Sequence, residues 1–210
     1  ILDFNQANVK EADFAKTLMA LRQDIAAKRG EEQYEAFVNL TRCYLANQFY
    51  READGLVKVL SNLDFNDLNT LRLKMAGVVA NYMVDEYDQA YEYVKLIDEE
   101  QLTANQKIEI QFWHNLLESK LNDKESYVTM APVVRAFEKL NDNFLNDYNS
   151  DILMKSGFDA VDYNLKYELR DNATDILNKL RKKAAGSKYD SEVTYLMALV
   201  EVQQKNKEKA

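Results

Sequence analysis

The sequence predicts an all-α protein, an α-α superhelix in which about ten helices stack as a solenoid of pairs. Three observations carry that expectation. Five glycines and one proline in 210 residues are too few for the many tight turns of a sandwich or barrel. Apolar residues recur at spacings of three and four rather than two, which is the period of a helix face. The helical segments also come in twos, a longer one, a very short break and a second, as stacked repeats do. A chain of this length can bury roughly 70% of its unfolded surface in one core. Residues 1–210 are therefore read as a single helical-repeat domain.

The elements follow in order. Phe14, Leu18, Leu21 and Ile25 mark one helix face, and Gly30 stops it. Residues 1–29 are expected to cap the stack. Tyr34, Phe37, Leu40, Tyr44 and Leu45 form the next segment, which breaks at Asn47 and Gln48. Its partner carries Ala53, Leu56, Val57 and Leu60 and ends in the polar stretch from Asn62 to Asn66. Asn66 or Asp67 can cap a helix with Leu71, Met75, Val78, Val79 and Tyr82, followed by one with Ala90, Tyr91, Val94 and Ile97. Thr103 caps a helix holding Ile108, Phe112, Leu116 and Leu117, and Asn122-Asp123 breaks it. A segment from about Glu125 to Leu140 follows, kinked or restarted at Pro132. Helices near Ser150 to Tyr167 and Arg170 to Ala185 complete the repeats, which span 31–185. A last helix from Ser191 to about Lys205, within 191–210, caps the other end.

Charge and chemistry exclude much. The chain carries 35 acidic against 27 basic side chains, a formal charge of −8, which repels a phosphate backbone, so no nucleic acid is expected. The basic run of Lys179, Arg181, Lys182, Lys183 and Lys188 lies where a helix ends, and cations there complement the dipole. No apolar run reaches the roughly 18 residues that would span a bilayer. The chain opens Ile1-Leu2-Asp3-Phe4 without a signal segment or Met. The expectation is a trimmed start on a soluble protein, cytoplasmic or mature and exported.

No catalytic, cofactor or metal site is predicted. Gly30, Gly55, Gly77, Gly157 and Gly186 are isolated, so no phosphate loop forms. The single Cys43 and single His114 exclude a disulfide framework and a self-contained zinc site. Asp142, Asn143, Asn146, Asp147 and Asp151 match a calcium loop in composition only, without its glycine and terminal Glu. Cys43 reads as a small buried hydrophobe and Trp113 as core with Leu117 and Leu121.

Phe37, Leu40, Thr41 and Tyr44, then Tyr50, Ala53 and Val57, resemble the tetratricopeptide pattern of aromatic, Leu, small residue and Tyr followed by Ala and an aromatic. Thr41 replaces the family glycine and Phe65 its proline. Tyr87, Ala90 and Val94 repeat the arrangement 37 residues on; Ala173 with Leu177 is a further equivalent, as is either Ala131 or, since Arg135 follows it, Met130 with Val134. The resemblance implies a concave face lined by the first helix of each pair. Its inward positions are Glu35, Val38, Arg42 and Leu45, then Arg72, Met75, Val79 and Tyr82, then Gln111, His114, Asn115 and Glu118. The partner-binding set expected is Glu35, Arg42, Arg72, Met75, Tyr82, Gln111, His114 and Glu118. Arg42 and Arg72 are preferred because arginine can grip a carboxylate with two donors. The implied function is a non-catalytic scaffold that binds a peptide or protein partner. A structural segment of a larger assembly, or a small-ligand carrier or enzyme with a pocket in the superhelix, stays open at this point.

Overall fold

The computed structural model describes residues 1–4, 11–61, 67–100, 102–121 and 148–208. Among these it holds nine α-helices and no strand. They are α1 (Glu11–Ala27), α2 (Gly30–Ala46), α3 (Tyr50–Leu60), α4 (Asp67–Met83), α5 (Tyr87–Lys95), α6 (Ala104–Leu121), α7 (Ser150–Lys166), α8 (Arg170–Ala184) and α9 (Asp190–Glu208). The expected segment from Glu125 to Leu140, with Ala131 and Pro132, lies outside the described residues. Each helix from α1 to α6 packs on the next, as do α7, α8 and α9, and α2 also packs on α4. That is the coil of consecutive pairs which the spacing of apolar residues predicts.

One turn is built three times. Gln48, Asp85 and Glu168 take left-handed φ values of 67°, 64° and 59° between the helices of pairs α2–α3, α4–α5 and α7–α8. Behind each, a backbone N–H reaches back across the helix end. Phe49 donates to Tyr44, Glu86 to Asn81 and Leu169 to Asn164, at 2.9, 2.9 and 2.8 Å. These bonds satisfy carbonyls that a helix terminus leaves open. The three caps share one conformation, φ near −86° and ψ near 60° at Phe49, Glu86 and Leu169. Four residues later Ala53, Ala90 and Ala173 are each fully buried, and each donates its N–H to the cap carbonyl. A side chain larger than methyl there would press into the facing helix.

Close approach takes other forms elsewhere. A Cβ on Gly77 would lie 2.9 Å from the Tyr93 ring, and one on Gly157 would lie 2.6 Å from Leu180. Both helix crossings thus rely on a missing side chain. The expected cap on α6 is present as a reciprocal box: Thr103 N donates to Gln106 Oε1 at 2.9 Å while Gln106 N donates to Thr103 Oγ1 at 3.4 Å. Asn149 caps α7 by accepting from Ile152 N. Arg181, Lys182 and Lys183 close the last turn of α8, where cations suit the carbonyl end. No described helix is long and apolar enough to cross a membrane.

Cys43 and Trp113 are buried, and burial pushes the Cys43 thiol above its ordinary pKa. The core is continuous, from Leu2 and Phe4 through Tyr34, Met75, Tyr82 and Trp113 to Leu180 and Val200. Each large apolar side chain removed from water contributes about 1.5–3 kcal/mol. Helix α1 meets the α2–α3 turn through Phe14, which is stacked on Phe49 at 4.8 Å.

Candidate functional site

The inner side of the stacked first helices is where the chain brings unlike groups together. Residues 1–4 have no regular secondary structure and alternate between buried and half-buried. Leu2 and Phe4 are buried at 0% and 1% exposure, and Ile1 and Asp3 are half-buried. Period-two alternation is that of an extended segment with one face inward. The Ile1 nitrogen donates to Glu109 Oε2 at 2.9 Å. The Asp3 carbonyl accepts from the Arg42 guanidinium. The segment therefore bridges α2 and α6.

Aromatic rings form the floor. Phe4 meets Tyr148 edge-on at 5.3 Å, Tyr148 lies 5.9 Å from Trp113, and Trp113 meets Tyr82 edge-on at 5.2 Å. Edge contacts set the positive ring rim against a negative face. Polar atoms in this floor are paired. Trp113 Nε1 donates to Tyr148 Oη at 3.1 Å, and Tyr148 donates to Glu109 Oε1 at 2.6 Å. The buried Glu109 carboxylate thus has a donor on each oxygen, which a charge in such a setting requires.

Arg42 and Arg72 are neighbours here. Burial lowers the Arg42 pKa most; the Asp3 charge raises it and the Arg72 charge lowers it further. Arg42 also donates to Asn39 at 3.2 Å, while its Nε is buried without a partner. Two half-buried cations side by side favour an anion between them.

A second closure lies across the helix ends. From the first turn of α7, Asp151, Lys155 and Asp159 project at successive turns of one face. Asp151 accepts from Gln48 in the α2–α3 turn and from Tyr189, with Lys188 at 2.9 Å. Lys155 donates to Tyr82 O at 2.9 Å, to Met83 O at 3.4 Å and to Asp85 Oδ1 at 2.6 Å. Asp159 accepts from Tyr82 Oη and from Lys120 at 2.5 Å. So α7 ties the C-terminal ends of α2, α4 and α6 together. Its cation sits on the open carbonyls of α4, where a helix end attracts positive charge.

The expected partner-binding residues divide. Arg42 and Arg72 are half-buried, Arg42 against the Asp3 carbonyl, and Glu35 is exposed on α2. Met75 and Tyr82 are fully buried, which corrects their assignment as partner contacts. Over Tyr82 lies α7, whose Asp159 accepts from its hydroxyl and whose Lys155 sits 4.9 Å above its ring. Gln111, His114 and Glu118 lie across α6 from Glu109 and Trp113, on its more exposed side. His114 instead meets Tyr91 of α5, with ring centroids 5.1 Å apart and Nδ1 3.9 Å from Glu118. Sequence reasoning missed Glu109, Tyr148, Lys155 and Asp159. The polar stripe at 151, 155 and 159 was a signal, since it repeats every turn on one face; an acid four residues before a core Trp was another.

Among the described residues no cluster of His, Cys, Asp and Glu has the geometry of a metal site. Asp151 is taken up by hydrogen bonds, while Asp142 to Asp147 lie outside the described residues. An open concavity of about 620 Å³ lies along α1, lined by Asp13, Lys16, Thr17, Ala20, Leu21 and Asp24. It is one face of a single helix.

No family model, curated protein or solved structure matches this chain.

Proposed function

We propose that the protein is a non-catalytic interaction scaffold of tetratricopeptide-like helix pairs that holds an extended segment of a partner protein along its first helices. The observation that supports this most is residues 1–4, an extended stretch held between Arg42 of α2 and Glu109 of α6. Solenoids offer such elongated inner surfaces to partners. Main-chain bonds there give affinity, and pockets for alternate side chains give selectivity. The acidic surface favours a protein partner over nucleic acid.

Selection from a displayed library of random peptides tests the reading. Enriched peptides should bind in solution, and replacing Arg42 and Arg72 with Ala should weaken them. The melting temperature should fall by no more than a few degrees, since a change of about 1 kcal/mol moves a chain of this size by about 2–4 °C. Peptides that bind both proteins equally would remove the arginines from the site. A library that yields no binder would remove the scaffold reading.

A further inference from the structure

We propose that the inner groove recognises a partner segment of the pattern apolar–acidic–aromatic, in extended form, and that residues 2–4 are a built-in occupant competing with it. This rests on the scaffold reading and names its ligand class. Leu2 and Phe4 fill the two inward positions and are buried to 0% and 1% exposure. Asp3 between them offers its carbonyl to Arg42, and its carboxylate lies close enough for its charge to be felt at that guanidinium. Arg72 adds a second cation beside the first. A basic residue in the middle place would meet two like charges, which is strongly unfavourable. At the last place an aromatic ring is favoured over an aliphatic chain by the edge of Tyr148 at 5.3 Å. Ahead of the first, the Glu109 carboxylate receives the main-chain nitrogen of Ile1 at 2.9 Å. The Arg42 and Glu109 contacts are made to main-chain atoms of residues 3 and 1, so another protein's segment can offer an oxygen and a nitrogen in the same places.

A tethered segment competes at an effective concentration on the order of millimolar. The native chain should therefore bind such a segment in trans weakly, and removing the occupant's side chains should release the groove.

The experiment uses the full chain carrying Leu2→Ser and Phe4→Ser. The probe is an acetylated, labelled peptide of residues 1–8, beside a version with Asp3→Lys. Saturable binding to the double variant, at least about tenfold tighter than to the native chain, supports the proposal. So does a loss of about tenfold or more on Asp3→Lys in the peptide or on Arg72→Ala in the protein. If the double variant has lost helix by circular dichroism, recovery on adding the peptide supports it equally. No binding to a folded variant, no recovery of an unfolded one, or indifference to Asp3→Lys overturns it. The tetrapeptide Leu-Asp-Phe-Asn occurs at 2–5 and again at 63–66. Concentration-dependent dimers of the double variant that vanish with Phe65→Ser would make a second copy the occupant and would also overturn it. Library peptides that bind through Arg42 while the residue 1–8 probe does not would sink this inference and leave the scaffold reading standing.

Discussion

The same inner surface is closed in two ways, and the two differ in kind. Residues 1–4 close it as a wedge, with Leu2 and Phe4 withdrawn from water and Phe4 set against Tyr148, which in turn meets Trp113. Helix α7 closes it as a strut, with Asp151, Lys155 and Asp159 bonded to three successive helix ends. The Leu2 and Phe4 side chains hold the wedge by area and shape, so salt should leave their contribution unchanged. The strut depends on charge in partly solvated positions, where screening acts over about 10 Å or less. Their meeting point is Tyr82, which touches Trp113 on one side and bonds Asp159 on the other.

The largest expected effect comes from Phe4→Ala. It removes a buried ring and should cost about 3–5 kcal/mol, read as a drop in denaturant midpoint that is the same at low and high salt. A loss below about 1 kcal/mol would mean that the wedge contributes little to the fold. Lys155→Met keeps the stem's length but strips the cation from the Tyr82 and Met83 carbonyls. The expected loss is about 1.5–3 kcal/mol, smaller in high salt. Equal losses at both ionic strengths would erase the distinction between wedge and strut.

The smallest effect concerns Asp85. The hydrogen bond from Lys155, then that from Tyr87, holds its carboxyl below the ordinary aspartate value. A depressed folded value contributes stability above the unfolded pKa, and that contribution is lost as pH falls through the folded one. In Lys155→Met the Asp85 midpoint, followed by carboxyl NMR, should move up toward the ordinary value. In Phe4→Ala it should stay put. An unmoved midpoint in Lys155→Met would leave the strut's charge without an effect on its partner.

Much of the coil was legible because its rule is local. Ala53, Ala90 and Ala173 share a place in the pattern and are all fully buried. Thr103 and Asn149 cap their helices through short-range bonds that need no tertiary knowledge. The turn residues were harder. Gln48, Asp85 and Glu168 adopt a φ that usually signals glycine, and none is glycine, so only the break itself could be read. The wedge was illegible for a different reason: the run Ile1-Leu2-Asp3-Phe4 is too short to show its alternation in sequence, and its partners at Arg42 and Glu109 are 39 and 108 positions away. Glu109 looks like a surface acid in the sequence, and only its bonds to Tyr148 and Ile1 explain its burial.

The thrice-used turn has a consequence for how a chain of this build can change length. Its angle is carried by main-chain bonds and one left-handed residue, with no particular side chain required at that place. A stretch running from one such corner to the next, the step of 37 residues between Gln48 and Asp85 for instance, begins and ends in the same backbone state. It could be excised or duplicated as a cassette, at the expense of one junction between neighbours, and the path of the remaining chain would resume unaltered.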